Sequence, residues 1–304
     1  MKTIIQDLGE YNGNHLWMKR DDLIPFSFGG NKARKAQLFF REIDKGDYDC
    51  VVTYGSGSSN HCRIVANECC RRGLDCCIIS PESASEASYN GMLMSMFGAK
   101  VLTVLVSDVH DTIERTLNEL RAAGRKPYFI PGGGHGDIGT EAYVQCYREI
   151  LEQEKEAGVY FDDIFLASGT GTTRAGLICG KLLEKDERRN IVGISIARKN
   201  PYGRGVVAES VRSYLGTDVK TEDIENALVF LDDYTDGYGK EDRRVDQTIS
   251  DVMKRYGIPL DPVYTGKAFF GMREYLTGNH VTGHQVLMIH TGGLPIYFDW
   301  LKRQ

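Results

Sequence analysis

The chain has 304 residues, 41% of them hydrophobic and 26% charged, with a formal net charge of −5. That is enough length for two domains or one large lobed one, and the composition is that of an ordinary globular protein, whose acidic balance argues against a nucleic-acid or anionic-membrane partner. No apolar run approaches the roughly 20 residues that span a bilayer, and Asp7 falls where a signal peptide would carry its apolar stretch, so the expected compartment is the cytoplasm.

In chain order, the first informative stretch is Phe28-Gly29-Gly30-Asn31-Lys32. A lysine directly behind a Gly-Gly turn, at the start of a helix expected over 33–43, can be held still and desolvated. Such a lysine can form a Schiff base with an aldehyde. Beyond it, short apolar runs alternate with amphipathic stretches. Strands are predicted at 51–54, 75–80, 100–104, 127–130, 163–167, 191–196 and 286–290. Helices are predicted at 61–72, 86–97, 108–123, 141–157, 174–184, 242–255 and 267–276. Alternation of this kind indicates βαβ units and parallel sheets, an α/β fold. Glycines cluster at the strand ends, at Gly55/Gly57, Gly132–Gly134, Gly169/Gly171 and Gly292/Gly293, where open α/β sheets bind ligands.

Three of these turns carry candidate chemistry. After the first strand, Gly55-Ser56-Gly57-Ser58-Ser59-Asn60-His61 opens a helix, and Ser59 or Asn60 is a good N-cap. The same exposed N–H groups and short polar side chains could instead hold a carboxylate. After strand 163–167, Ser168-Gly169-Thr170-Gly171-Thr172-Thr173 leads into a helix. Converging amides, hydroxyls and a helix N-terminus suit a phosphate, although a plain tight turn would look the same. It is neither a Walker loop nor a dinucleotide fingerprint, because Arg174 stands where the third glycine belongs. After strand 286–290, Thr291-Gly292-Gly293 would let a flat ring approach the backbone. A neutral hydroxyl at Thr291 facing a pyridine nitrogen would make the ring a weak electron sink, which suits β-elimination better than transamination. Tyr238 and Tyr264 could transfer protons near a substrate, or simply pack.

The eight cysteines form no Cys-x-x-Cys and lack histidines at zinc-ligand spacing, so no metal site is expected and the thiols are read as reduced interior residues. Two readings outside aldehyde chemistry stay open. One is a nucleotide-binding α/β protein using Gly169–Thr173, and the other is a thiol-based redox module.

Six segments, taken together and in order, carry a resemblance. They are 16–23 (Leu-Trp-Met-Lys-Arg-Asp-Asp-Leu), 29–35 (Gly-Gly-Asn-Lys-Ala-Arg-Lys), Ser59-Asn60-His61, 167–177, 260–267 (Leu-Asp-Pro-Val-Tyr-Thr-Gly-Lys) and 290–295 (His-Thr-Gly-Gly-Leu-Pro). From about residue 16 to 299 the chain resembles the D-cysteine desulfhydrase and 1-aminocyclopropane-1-carboxylate (ACC) deaminase family. These are fold-type II enzymes that use pyridoxal 5′-phosphate (PLP), of the tryptophan synthase β-subunit class. The resemblance implies two lobes, each with a mostly parallel sheet flanked by helices. A small one over 46–142 would be inserted in a larger PLP-binding one (1–45 plus 143–304), usually in homodimers. It implies Lys32 as the Schiff-base lysine and acid/base at Cα, and Asn60 at the ring hydroxyl. The phosphate would lie on Gly169, Thr170, Gly171, Thr172 and Thr173, and the pyridine nitrogen near Thr291. A small amino-acid substrate would lie against Ser58, Ser59, Asn60 and His61, with Ser59 acting at its carboxylate or as a catalytic residue near Cα and Tyr238 and Tyr264 as the two active-site tyrosines. ACC deaminases resembling this chain carry a glutamate where Thr265 stands, so the resemblance leans toward D-cysteine desulfhydrases. Ser58, where the family usually has glutamine, puts D-cysteine itself in question.

Overall fold

The structure, a computed structural model, describes residues 2–82 and 88–304. The chain opens with β1 (Ile5–Tyr11) and β2 (Asn14–Lys19), then α1 (Asn31–Ile43). A run of β3 (Cys50–Tyr54), α2 (Asn60–Arg72), β4 (Asp75–Pro81), α3 (Tyr89–Met96), β5 (Lys100–Val104), α4 (Val109–Ala122) and β6 (Pro127–Ile130) follows. The long α5 (Asp137–Ala157) returns to a second run: β7 (Asp163–Ser168), α6 (Thr172–Leu183), β8 (Asn190–Ser195), α7 (Tyr202–Leu215), α8 (Thr221–Ala227) and β9 (Val229–Leu231). Then come α9 (Arg243–Tyr256), α10 (Thr265–Gly278), β10 (Gln285–Ile289) and α11 (Leu294–Leu301).

Two sheets result. One has the order β1-β2-β10-β7-β8-β9, parallel except for the β1–β2 hairpin; the other, β5-β4-β3-β6, is parallel throughout. Parallel strands buried on both faces read as continuous apolar runs, and every residue of β7 is buried. On the six-stranded sheet one core gathers Tyr143, Tyr147, Ile178 and Val211 from α5–α7, and the other gathers Ile249, Phe269 and Trp300 from α9–α11. On the four-stranded sheet, Phe39, Phe40 and Val65 from α1 and α2 fill one face, and Ile113 and Leu117 of α4 the other. Helices on both faces of both sheets make this the α/β architecture expected.

The seven expected strands and the helices between them are all present, with ends shifted by a few residues. The helix expected over 86–97 is seen as Tyr89–Met96, and residues 86 and 87 lie outside the described ones. Residue 142, where the inserted lobe was expected to end, falls inside α5. The apolar face of α1, assigned by sequence to the larger lobe, packs under the four-stranded sheet. Unforeseen were the β1–β2 hairpin, β9, α7, α8 and α11. Six of the cysteines are buried, but Cys70 is exposed and Cys77 partly so. Among the described residues, no helix is long and apolar enough to cross a membrane.

The phosphate-type loop is placed by how closely α6 lies on α5. Gly176 and Gly180, one turn apart, face Tyr143 and Tyr147. A Cβ at 176 would come 2.4 Å from Thr140 O and 2.5 Å from Tyr143 Cβ. Gly176→Ala is therefore expected to lower the midpoint of urea unfolding by an amount equivalent to about 1–3 kcal/mol, the usual range for overpacking. An unchanged midpoint would mean that the helices do not need this approach.

Candidate active site

The carboxyl ends of both sheets face one cavity of about 490 Å³. It is lined by the turn at Lys32, the loop after β3, the Gly132-Gly133 turn after β6, the loop after β7, the end of β8, Tyr238, Tyr264 and Thr291-Gly292. No aspartate or glutamate is among these lining residues.

Lys32 is the second residue of α1. The chain reaches it through four consecutive residues with positive φ: Ser27 (45°), Phe28 (58°), Gly29 (61°) and Gly30 (95°). The two glycines are required by contact as well as by φ. A Cβ at 29 would lie 2.2 Å from Asp22 O, and one at 30 would lie 2.5 Å from Thr291 O. Asn31 N–H donates to Thr291 O at 3.0 Å. The lysine turn is thereby fixed on the end of β10. Arg34 anchors the same helix from behind, donating to Asp21 (2.6 and 3.0 Å) and to Glu149 (2.8 Å). Burial alone would raise the pKa of Asp21, but Arg34 and Lys19 outweigh it and hold the carboxyl ionised. Lys32 Nζ donates to Gly133 O at 2.9 Å, and burial pushes its pKa down to about 8 against a small opposing pull from Cys62.

The loop after β3 meets its capping reading. Ser59 caps α2, accepting from Cys62 N–H at 3.2 Å, and it also lines the cavity. Asn60 Oδ1 accepts from Asn90 Nδ2 at 3.0 Å, which leaves its own Nδ2 as the outward donor. Thr53 donates its single hydroxyl hydrogen to Ile130 O (2.7 Å), so His61 Nε2, 2.8 Å from the same oxygen, must be the donor to it. The His61 hydrogen is thus on Nε2, and the lowered basicity of the ring keeps it neutral. Burial, then Lys32 and Lys35, drive its pKa well below the ordinary histidine value. Ser58 is not among the lining residues. Its hydroxyl lies 3.3 Å from Ser56 Oγ and its carbonyl accepts from Asn90 Nδ2 at 2.8 Å.

Ser168, Gly169, Thr170, Gly171 and Thr173 line the opposite wall where α6 begins. Ser168 Oγ is buried with no hydrogen-bond partner, and the first amides of α6 have no carbonyl of their own helix to bond. Those unmet donors fit a phosphate. Thr173 Oγ1 accepts from Asn31 Nδ2 at 3.0 Å, which ties this loop to the lysine turn and leaves the Thr173 hydrogen free to donate. The Thr172 side chain departs from expectation. It does not line the cavity, and its hydroxyl lies 2.8 Å from His135 Nδ1.

Tyr238 and Tyr264 do come together, with phenol oxygens 3.1 Å apart. Burial, then Tyr238, keep the Tyr264 phenol neutral, far above its ordinary pKa. Thr265 points elsewhere. It is fully buried, donates to Asp261 Oδ2 at 2.7 Å and accepts from Asp261 N–H at 2.8 Å, while Thr291 lines the cavity. Asn31 and Arg198 were not foreseen as site residues, and the Gly132-Gly133 turn was foreseen only as one of the glycine-rich strand ends that mark the site. Only the adjacency of Asn31 to Lys32 pointed to the first of them.

Residues 4–292 match the family of pyridoxal-phosphate dependent enzymes. A D-cysteine desulfhydrase of Serratia proteamaculans is 31% identical over 303 residues, covering 96% of this chain and 91% of the relative. A Pyrococcus furiosus protein that carries a provisional ACC deaminase name is 33% identical over 302 residues, covering 97% and 90%. A crystal structure described as an ACC deaminase homologue superposes with a TM-score of 0.88 at 33% identity, over 100% of this chain and 93% of that one. With a half-buried, low-pKa amine beside a loop of unmet donors, these similarities settle the lineage: the chain belongs to the pyridoxal-phosphate dependent enzymes of fold type II, in the group of the D-cysteine desulfhydrases and ACC deaminases.

Proposed function

We propose that this enzyme removes the β-substituent of a small amino acid, with D-cysteine as first candidate and pyruvate, ammonia and sulfide as products. The observation that supports this reading is that no aspartate or glutamate is among the described residues lining the cavity, while the hydroxyl at 265 is turned onto Asp261 and Thr291 lines the wall at the end of β10. A pyridine nitrogen opposite a neutral hydroxyl stays largely unprotonated. PLP, when bound, supplies an electron sink for the pair released at the substrate Cα. With a weak sink, a reaction in which a β-group leaves promptly is favoured over one that must stabilise the charge for long. ACC ring opening is the second reading, supported by the Pyrococcus relative and the ACC deaminase homologue.

In this proposal Lys32 anchors the cofactor and, once displaced by substrate, moves the Cα proton through Nζ. Asn60 Nδ2 serves the ring oxygen, and Gly169, Thr170, Gly171 and Thr173 serve the phosphate, with Thr172 contributing only main chain. Ser59 and the amides of Asn60 and His61 hold the substrate carboxylate at the N-terminus of α2, where the helix dipole favours an anion. Tyr264, kept neutral, is suited to give a proton to the departing group and to recover it through Tyr238, which is 49% exposed. A cytoplasmic homodimer, with a lobe near residues 46–142 inserted in the other, completes the proposal.

Pure protein incubated with D-cysteine, L-cysteine, β-chloro-D-alanine or ACC, and assayed for keto acid and sulfide, tests the substrate assignment. Equal pyruvate and sulfide from D-cysteine are expected. 2-Oxobutyrate from ACC without sulfide from D-cysteine would contradict it. A second outcome concerns pH. Because the Lys32 pKa is lowered to about 8, the free amine becomes the main form as pH rises through that value. The rate at which pyridoxal attaches to the cofactor-free protein should climb with pH and level off just above 8. A climb continuing to an ordinary lysine pKa, 10.5, would show that burial does not act on this amine.

A further inference from the structure

A phosphate ester near neutral pH carries close to two negative charges. Amides, hydroxyls and a helix N-terminus favour such an anion, and a full positive charge beside them would strengthen the hold. Four residues lining the cavity carry basic side chains: Lys32, His61, Arg174 and Arg198. Lys32 faces Gly133 O and is assigned to the aldehyde end of the cofactor. His61 is neutral. The Arg174 side chain turns away from the loop: its guanidinium lies over the Phe230 ring at 5.3 Å and fills the space beside Gly193, where a Cβ would come 2.6 Å from Arg174 Cδ. That leaves Arg198.

Arg198 follows the carboxyl end of β8, beside the loop that follows β7. Its Nη1 donates to Thr170 O at 3.2 Å, inside the loop, and its guanidinium lies over the Tyr202 ring at 5.4 Å. The start of its own turn is pinned by Ser195 Oγ donating to Arg198 O at 2.5 Å. Thus one N–H of a planar five-donor group is engaged by the loop, and the group is held at the loop's rim by stacking. Among the described residues lining the cavity there is no acidic side chain to neutralise it.

We propose that Arg198 is a cofactor-binding residue: it supplies the full positive charge for the phosphate on the loop Gly169–Thr173, and so lets the protein prefer phosphorylated over unphosphorylated pyridoxal. The proposal rests on the reading that this loop holds the cofactor phosphate, and its test separates the two. Apparent dissociation constants of PLP and of pyridoxal are measured on the cofactor-free full chain by the visible absorption band, for wild type, Arg198→Met and Arg198→Lys. Loss of a charged hydrogen-bond partner should weaken PLP binding by at least about tenfold in Arg198→Met. Pyridoxal affinity should change less than about twofold, and Arg198→Lys should recover part of the loss.

A merely structural role would weaken both ligands in parallel, and that result would overturn the proposal, as would a PLP preference undiminished in Arg198→Met. If wild type itself showed no preference for PLP over pyridoxal, the phosphate reading of the loop would fail instead. Should the methionine variant fold poorly, the phosphorus resonance of the bound cofactor decides. In the wild-type holoenzyme it is expected to hold its dianion position through the pH region where the free cofactor titrates, and to move with pH in Arg198→Lys if that variant binds more weakly. A wild-type resonance that titrates like the free cofactor would overturn the proposal.

Discussion

The contact on which the site depends is main chain against main chain, where the Gly29-Gly30 turn lies on the Thr291-Gly292 end of β10. A Cβ at 292 would sit 2.7 Å from Gly30 Cα, so no side chain separates the two segments. From this contact follow the direction of α1, the position of Lys32 in its first turn, and the link from Asn31 to both Thr291 and Thr173. Ion pairs from Arg34 to Asp21 and Glu149 keep the same helix from shifting on its other side. Lys32 Nζ is thereby presented between two sheets whose strand ends carry opposite walls of one cavity.

Charge distribution then sets the chemistry. A cavity with no carboxylate among its described lining residues, bounded by two helix N-termini and by Arg198, suits a ligand that is anionic at both ends, as an amino acid joined to a phosphorylated cofactor would be. The same absence decides the electronics. With Thr265 held by Asp261, no aspartate or glutamate is among the described residues lining the cavity, as the proposed weak electron sink requires. Burial, which costs the Lys32 ammonium and the Tyr264 phenolate alike, leaves an amine that gives up its proton easily and a phenol that keeps its own.

What could be read from the sequence was what local pattern determines. Apolar runs bounded by glycine gave the parallel strands, because strands buried on both faces need no alternation. Lys32 behind its turn, Ser59 as a cap and the glycine-rich loop at Gly169 were legible because a turn, a cap and a tight strand-to-helix loop each demand particular residues at particular spacings. The β1–β2 hairpin could have been found as well: Asn12-Gly13, with φ of 49° and 74°, is the two-residue turn that joins such strands. α7 was obscured by Gly203 and Gly205 close behind Pro201, and β9 is too short to show a period. Side-chain direction was the hardest part. Thr172 and Thr173 are equal candidates in sequence, and His135 and Asn31, distant in the chain, decide which one faces the cavity. Arg198 acquires its place only when β8 lies beside β7.

Borohydride reduction of the holoenzyme followed by peptide mass mapping tests the central claim directly, since it fixes any imine between the cofactor and an amine. The account predicts a single phosphopyridoxyl adduct, on Lys32. An adduct on another lysine, such as Lys35 one turn further along α1, or none at all while the protein remains yellow, would contradict it.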